Sequence, residues 1–482
     1  GGNRHLLEDV LKGAWGYAGW VMSDWGATPS WEFALAGLDQ ESGAQIDVMM
    51  WDDEPFTDPL RQAYADGRLP KERLSEMVRR ILRSIYATGI DKWSGPGPAP
   101  DMAAHHEAVV ETARQGIVLL KNDGSILPLA GKTRIALIGG RAHLGAMGGG
   151  GSSQTIPPKG YALVVPLGGE GLLGGLRREV FIGPSPMAEL TKLLPEASIA
   201  YNSGEYLSEA AALARRSDVA IVVANKFDGE GFDSPDLSLP YGQDALINAV
   251  ASANPNTIVV LQTGNPVAMP WRAKVKAIVQ AWYAGQAGGQ PMAEVLAGKV
   301  NPSGRLPVTF YANIEQTPHP RLAGFGTPPD TPTTLKYHEG SDVGYRWLAR
   351  TGAKPNYAFG HGLSYTGFAY KNLKASGGET VTATFTVTNT GKRPGADVPQ
   401  LYLTGVGGTK RMHLLGFERV ELQPGESKDV TVTADPRLLA RFDGKAQQWR
   451  IAGGAYKVAV AKSAEAPVLT AEVQLDSRLF GN

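Results

Sequence analysis

Leu6, Leu7, Val10 and Leu11 recur at helical spacing and predict a helix over 5–12, and the run from Gly19 to Ser23 then reads as a short buried strand. A second short strand is expected over 36–39, followed by helices over 56–66 and 70–87, the latter with Pro70 suited to a first turn and Gly89 to a stop. Two strands with their helices cannot bury both faces of a parallel sheet. Residues 1–92 are therefore expected to be the C-terminal part of a (β/α)8-type barrel, with an N-terminal barrel segment missing from the chain. Gly and Pro dominate Ser94 to Pro100, which marks a linker over 93–102.

Beyond the linker a helix is expected over 101–115, and apolar runs over 134–138, 218–224, 257–262 and 277–282 are separated by helical stretches such as 207–216 and 241–253. That alternation predicts an α/β sandwich with a parallel sheet over 103–312. A connecting segment fills 313–367. From Val381 the period changes to two, with alternating segments over 381–388, 398–403, 430–433 and 456–460, so 368–482 is expected to be a β-sandwich of immunoglobulin or fibronectin type III kind. The predicted fold class is multidomain α/β plus all-β.

Composition narrows the chemistry. The 482 residues suit about three domains. Lys plus Arg and Asp plus Glu both number 47, so the net charge is zero and nothing favours nucleic acid or an anionic membrane as a partner; a neutral ligand is expected. No apolar run approaches the roughly 18 residues that a membrane span needs. With 60 Gly and 33 Pro, many turns are expected. The absence of Cys excludes disulfides, thiolate metal sites and a thiol nucleophile. His105 and His106 are adjacent and point to different faces of their helix, and the other six His are scattered, so neither a metal nor a cofactor is expected. Gly1 to Arg4 does not read as a signal peptide, and the compartment stays open, with a periplasmic or secreted location the working expectation.

Three segments carry candidate chemistry. Val21-Met22-Ser23-Asp24-Trp25-Gly26 ends a strand in a carboxylate, the place where barrel enzymes put catalytic groups, although Asp24 could equally cap a helix or pair at the rim. Trp25 beside it suits a sugar platform or a core position. In Asp228-Gly229-Glu230-Gly231-Phe232-Asp233 the glycines let the backbone expose Glu230 on a loop, where a plain solvated acidic turn is the other reading. The run Gly148 to Gly151 before Ser152 lacks the Gly-Lys-Ser/Thr ending of a phosphate cradle. It reads either as a close-approach loop whose Ser152 can bond a neutral ligand or as a flexible linker.

Six motifs follow one another in order: the Ser-Asp24-Trp segment, the Gly-Glu230-Gly loop with Leu237-Ser-Leu-Pro240, Gly264 to Trp271, Trp282 to Gly289, Asn301 to Pro307 and Phe359 to Tyr365. Together they resemble glycoside hydrolase family 3, specifically its three-domain β-glucosidases, over essentially the whole chain. The resemblance implies Asp24 as nucleophile, Glu230 as acid/base and Ser152 bordering the sugar subsite, while Trp25 stays the candidate sugar platform beside Asp24. It implies a retaining exo-β-glucosidase acting by double displacement on cello-oligosaccharides or aryl β-glucosides, with its site in an interdomain cleft. A β-xylosidase and a non-catalytic carbohydrate-binding or scaffold fragment remain the alternatives. The β-N-acetylglucosaminidases of the family resemble proteins that take their acid/base from a His-Asp pair, so the Glu230 loop argues against them. Family members carry further barrel sequence before this point, including the residues that hold the glycosyl hydroxyls.

Overall fold

The computed structural model describes residues 1–152, 154–169, 174–328 and 331–481. They form two compact units, Gly1–Pro100 and Asp101–Gly481.

In the first unit the opening helix runs from His5 to Ala14, longer than predicted and widely wound, with the Trp15 N–H reaching the Val10 carbonyl at 2.9 Å. The strands expected over 19–23 and 36–39 do not develop. Met22 and Gln40 make a single parallel bridge, supported by Ser23 N–H to Gln40 O and Asp39 N–H to Val21 O, both 2.9 Å. A short 3₁₀ turn, Trp31–Ala34, precedes the second segment, and Gly37 at φ 109° interrupts it. Among the described residues no further strand flanks the pair, and there is no closed barrel. Three helices follow: α1 (Ala44–Trp51), α2 (Asp58–Ala65) and α3 (Lys71–Thr88). Gly89 ends α3 in the left-handed conformation, at φ 73°, where a side chain would strain the backbone. Helix α1 has no counterpart in the sequence reading, because Ala44-Gln-Ile-Asp-Val-Met-Met-Trp51 is apolar on nearly every side and shows no helical period.

The second unit opens with a helix over Met102–Gly116, capped by the Asp101 carboxylate, which accepts from the N–H groups of Ala103 and Ala104. Its sheet contains β1 (Val118–Asn122), β2 (Arg134–Ile138), β3 (Ser198–Asn202), β4 (Val219–Asn225), β5 (Thr257–Gln262) and β6 (Ala277–Gln280) in the order β1-β6-β5-β4-β2-β3. Strands β2 to β6 are parallel, and β2, β4, β5 and β6 answer to the four predicted runs; β3 and the edge strand β1, which runs antiparallel to β6, have no counterpart in the sequence reading. Strand β6 stops two residues short of its predicted end, and Trp282 takes φ 55°, a turn that ends the ladder.

All seven residues of β4 are buried. Alternate side chains feed two cores. Ala220, Val222 and Ala224 pack with Leu213, Leu246 and Ile247 of one helical layer, and Ile221 and Val223 pack with Leu190, Met292 and Val295 of the other. A sheet covered on both faces explains the continuous apolar runs, each large side chain contributing roughly 1.5–3 kcal/mol on burial.

The C-terminal β-sandwich packs the sheet of Phe368–Ser376, Thr382–Asn389 and Ser427–Thr433 against that of Thr409–Phe417, Gln400–Val406, Gly454–Ala461 and Pro467–Leu475. Phe385, Val387, Leu401, Val458 and Val460 point inward. The intervening threonines bond across the outer face, Thr384 to Thr431 at 2.9 Å and Thr382 to Thr433 at 3.1 Å. The sandwich is tied to the preceding layer by Arg305, whose guanidinium donates to the Asp397 carboxylate at 2.5 Å while Tyr370 donates to its other oxygen at 2.7 Å.

Candidate functional site

Strand β4 ends at Asn225 and the chain continues directly into the loop that carries Glu230, while β5 and β6 deliver Gly264–Asn265 and Trp282–Tyr283 beside it. Loops at the carboxyl ends of parallel strands are the usual place for a ligand in such a sheet. The glycine run Gly148 to Gly151 lies against the same loop: Gly150 pairs with Gly229 in a parallel bridge, and the Gly150 N–H donates to the Asp228 carbonyl at 3.0 Å. The approach is too close for side chains. A Cβ on Gly150 would stand 2.5 Å from the Phe227 ring, and one on Gly151, which holds φ 91°, would stand 2.5 Å from the Glu230 Cβ.

That approach brings Ser152 to Glu230. The Ser152 N–H donates to Glu230 Oε2 at 2.7 Å. Glu230 is exposed, and the Ser152 hydroxyl and N–H together hold its carboxyl below the ordinary carboxylate range, because both favour the ionised form.

The loop is fixed two residues earlier by Asp228, which is buried. One of its carboxylate oxygens accepts from the N–H groups of Gly264 and Asn265 at 2.9 and 3.0 Å; the other accepts from Asn265 Nδ2 at 3.0 Å and from the Ser234 hydroxyl at 3.2 Å. Tyr283 accepts the Asp228 N–H at 3.1 Å and donates to the Lys226 carbonyl at 2.5 Å, and burial pushes its phenol well above the usual range. Lys226 Nζ lies 3.6 Å from Asp228 and bonds Ser234 at 2.8 Å. The motifs around Gly264 and Trp282 marked these segments in the sequence, but nothing there showed that they converge on Asp228.

Asp24 and Trp25 lie in the first unit, on the loop that leaves the Met22–Gln40 bridge. Asp24 is exposed, and its Oδ1 accepts the Trp25 N–H at 2.8 Å. The loop is clamped to the segment that leads into α1. The Ser42 N–H donates to Ser23 Oγ at 2.9 Å, Trp25 Nε1 to Ser42 Oγ at 3.0 Å, the Thr28 N–H to Asp47 Oδ1 at 3.0 Å, and Trp51 Nε1 to the Gly26 carbonyl at 3.0 Å. Trp25 keeps 62% of its surface exposed, so it is no core residue in this unit. Gly43 sits under its ring, where a Cβ would stand 2.5 Å away.

Two buried charge groups support this clamp, and the sequence reading identified neither. Asp39 accepts from Arg73 at 2.7 Å, Lys12 at 3.1 Å and the Val21 N–H at 2.9 Å, fixing the bridge that precedes Asp24. Glu41 faces the fully buried Asp47, and Glu41 Oε1 and Asp47 Oδ2 have no hydrogen-bond partner among the described residues. Burial first, and the neighbouring Asp47 after it, push the Glu41 carboxyl up to about 7, against the N–H of Phe56 that favours its charged form. The structure thus joins Ser152 to Glu230 and Trp25 to Asp24, while Asp24 and Glu230 belong to separate units. It also gathers His319, His338 and Glu339, a set of possible metal ligands that the scattered His positions did not suggest.

Residues 117–365 match the glycosyl hydrolase family 3 C-terminal domain and 397–464 a fibronectin type III-like domain. The chain is 35% identical to the thermostable β-glucosidase B of Acetivibrio thermocellus over 98% of its own length and 61% of that protein's. It is 32% identical to an exo-α-(1→6)-L-arabinopyranosidase of Bifidobacterium breve, over 98% of this chain and 61% of the relative. The structure of β-glucosidase 3B from Thermotoga neapolitana in complex with glucose superposes with a TM-score of 0.82 at 29% identity, covering all of this chain and 69% of that one. The chain therefore spans about three-fifths of the length of the curated relatives it matches.

Proposed function

Since the chain belongs to glycoside hydrolase family 3, we propose that it works as part of a retaining exo-β-glucosidase, with Asp24 as nucleophile and Glu230 as acid/base. The observation that carries this reading is the pair of glycine-bordered loops that offers the Glu230 carboxylate to solvent at the carboxyl end of a parallel sheet, with Ser152 bonded to it. The proposed substrate is a small neutral glucoside or cello-oligosaccharide, in keeping with the zero net charge. Because the relatives are longer, the activity is assigned to the full-length enzyme. A periplasmic or secreted location is proposed with it.

Retaining hydrolysis needs one carboxylate to attack the anomeric carbon and one carboxyl to protonate the leaving oxygen and then deprotonate the incoming water. Asp24 is assigned the attack: its Oδ1 is engaged by the Trp25 N–H, and the clamp on Ser42 and Asp47 keeps the loop in place. Trp25 is assigned the face on which the sugar rests. In the conformation seen here, Ser152 favours the charged form of Glu230, which suits the base half of the cycle. The acid half requires that bond to loosen when substrate enters. The identity with an arabinopyranosidase favours a second reading, a pentopyranoside substrate, and a panel of aryl glycosides separates it from the first.

Glu230→Ala in the full-length enzyme tests the assignment. Cellobiose turnover should fall far more than turnover of an activated aryl glucoside, whose leaving group needs no proton. Azide should restore activity on the aryl substrate and give β-glucosyl azide. Equal losses on both substrates without rescue would make Glu230 a folding or positioning residue.

A further inference from the structure

In the segment between the α/β layer and the β-sandwich, the structure converges two imidazoles on one carboxylate oxygen. His319 Nε2 lies 2.9 Å from Glu339 Oε2, and His338 Nδ1 lies 3.9 Å from the same atom. The ligand atoms of all three groups fall within 4.8 Å of one another. His319 follows the short turn Ile314–Gln316, while His338 and Glu339 sit in a turn ahead of the helix Tyr345–Thr351, so the cluster joins two stretches of chain. The Glu339 side chain is 4% exposed and that of His338 55%, which leaves one side of the cluster open to solvent.

The rings are held by their neighbours. Tyr337 packs edge-on to His319, and Trp347 packs edge-on to His338 while its Nε1 donates to the Gln316 carbonyl at 3.0 Å. The nearby guanidinium of Arg350 is engaged elsewhere, by the Glu339 carbonyl and the Asp342 carboxylate, both at 3.4 Å. One imidazole suffices to pair with Glu339. A second ring at the same oxygen adds repulsion if both are protonated, but two neutral imidazoles with a carboxylate make a donor set matched to a divalent transition metal. Ligand atoms around a tetrahedral zinc stand about 3.4 Å apart, as bond lengths near 2.1 Å require, and the two contacts to Glu339 bracket that spacing.

We propose that His319, His338 and Glu339 form a zinc-binding site that cross-links the two stretches, with water completing the coordination. Zinc binding to the folded chain should raise its melting temperature. The chain has no Cys, so thiolates cannot compete for the metal.

The test is a zinc titration of the chelator-treated chain by calorimetry, with cobalt as a spectroscopic substitute. One equivalent should bind, cobalt should give the visible absorption of a tetrahedral site, and His319→Gln and His338→Gln should each weaken binding by about tenfold or more. His106→Gln should bind as the parent does. Because His338 is largely exposed, its replacement leaves the fold intact, which circular dichroism verifies. Absence of stoichiometric binding, or binding that survives both substitutions unchanged, would overturn the proposal.

Discussion

Glu230 carries its charge against a hydroxyl and an N–H of one residue, and that has a kinetic signature. A general acid must be protonated, so the alkaline limb of kcat/KM follows the pKa of that group in the free enzyme. Ser152 lowers this pKa chiefly through its side chain. Ser152→Ala removes the hydroxyl and keeps the N–H, so the alkaline limb should move to higher pH, with a smaller change at the acidic limb. A pH–rate profile over aryl glucosides measures it; an unmoved alkaline limb would mean that the Ser152–Glu230 contact is absent in the working enzyme. Reading Gly, Glu and Ser at these positions was within reach of the sequence because each glycine answers a local requirement. The partners of Asp228 were not, since five hydrogen bonds to one carboxylate, from Ser234, Gly264, Asn265 and Tyr283, arise only when three strand ends are placed side by side.

At the scale of elements, segments whose burial follows a period or a bounded apolar run were legible, and those that depend on their neighbours were not. Helix α3 and strands β2 and β5 lie where period and punctuation put them, because burial on one face or on both is written directly into their spacing. The strands expected in the first unit reduce to one bridge, because an apolar run makes a strand only when neighbours extend the ladder. Helix α1 was invisible for the opposite reason, an excess of apolar residues, and it brings Asp47 under Glu41. With a folded pKa near 7 against an ordinary value of 4.5, Glu41 takes up a proton on folding. Its contribution to stability is full below the ordinary value and is lost as pH rises through about 7. Thermal melts at pH 5 and pH 8 should show a smaller drop in melting temperature for Glu41→Gln than for the parent chain. Equal drops would show that Glu41 ionises freely in the fold.

Across the molecule, the α/β layer and the β-sandwich are joined through buried polar contacts as well as apolar ones. Asp397 accepts from Arg305 and Tyr370 with its side chain 5% exposed, so Asp397→Ala would leave a largely buried guanidinium without its carboxylate partner. Removing one member of such a pair costs about 3–5 kcal/mol, which denaturant unfolding should resolve; a loss below about 1 kcal/mol would place the joint elsewhere. The central claim, that this chain supplies the nucleophile of a retaining glucosidase, is tested most directly by trapping the glycosyl-enzyme. The full-length enzyme treated with a 2-deoxy-2-fluoro-β-glucoside bearing an activated leaving group, digested and mapped by mass spectrometry, should carry one fluoroglucosyl group on Asp24. A label on another carboxylate, such as Asp39 or Asp52, would contradict the assignment.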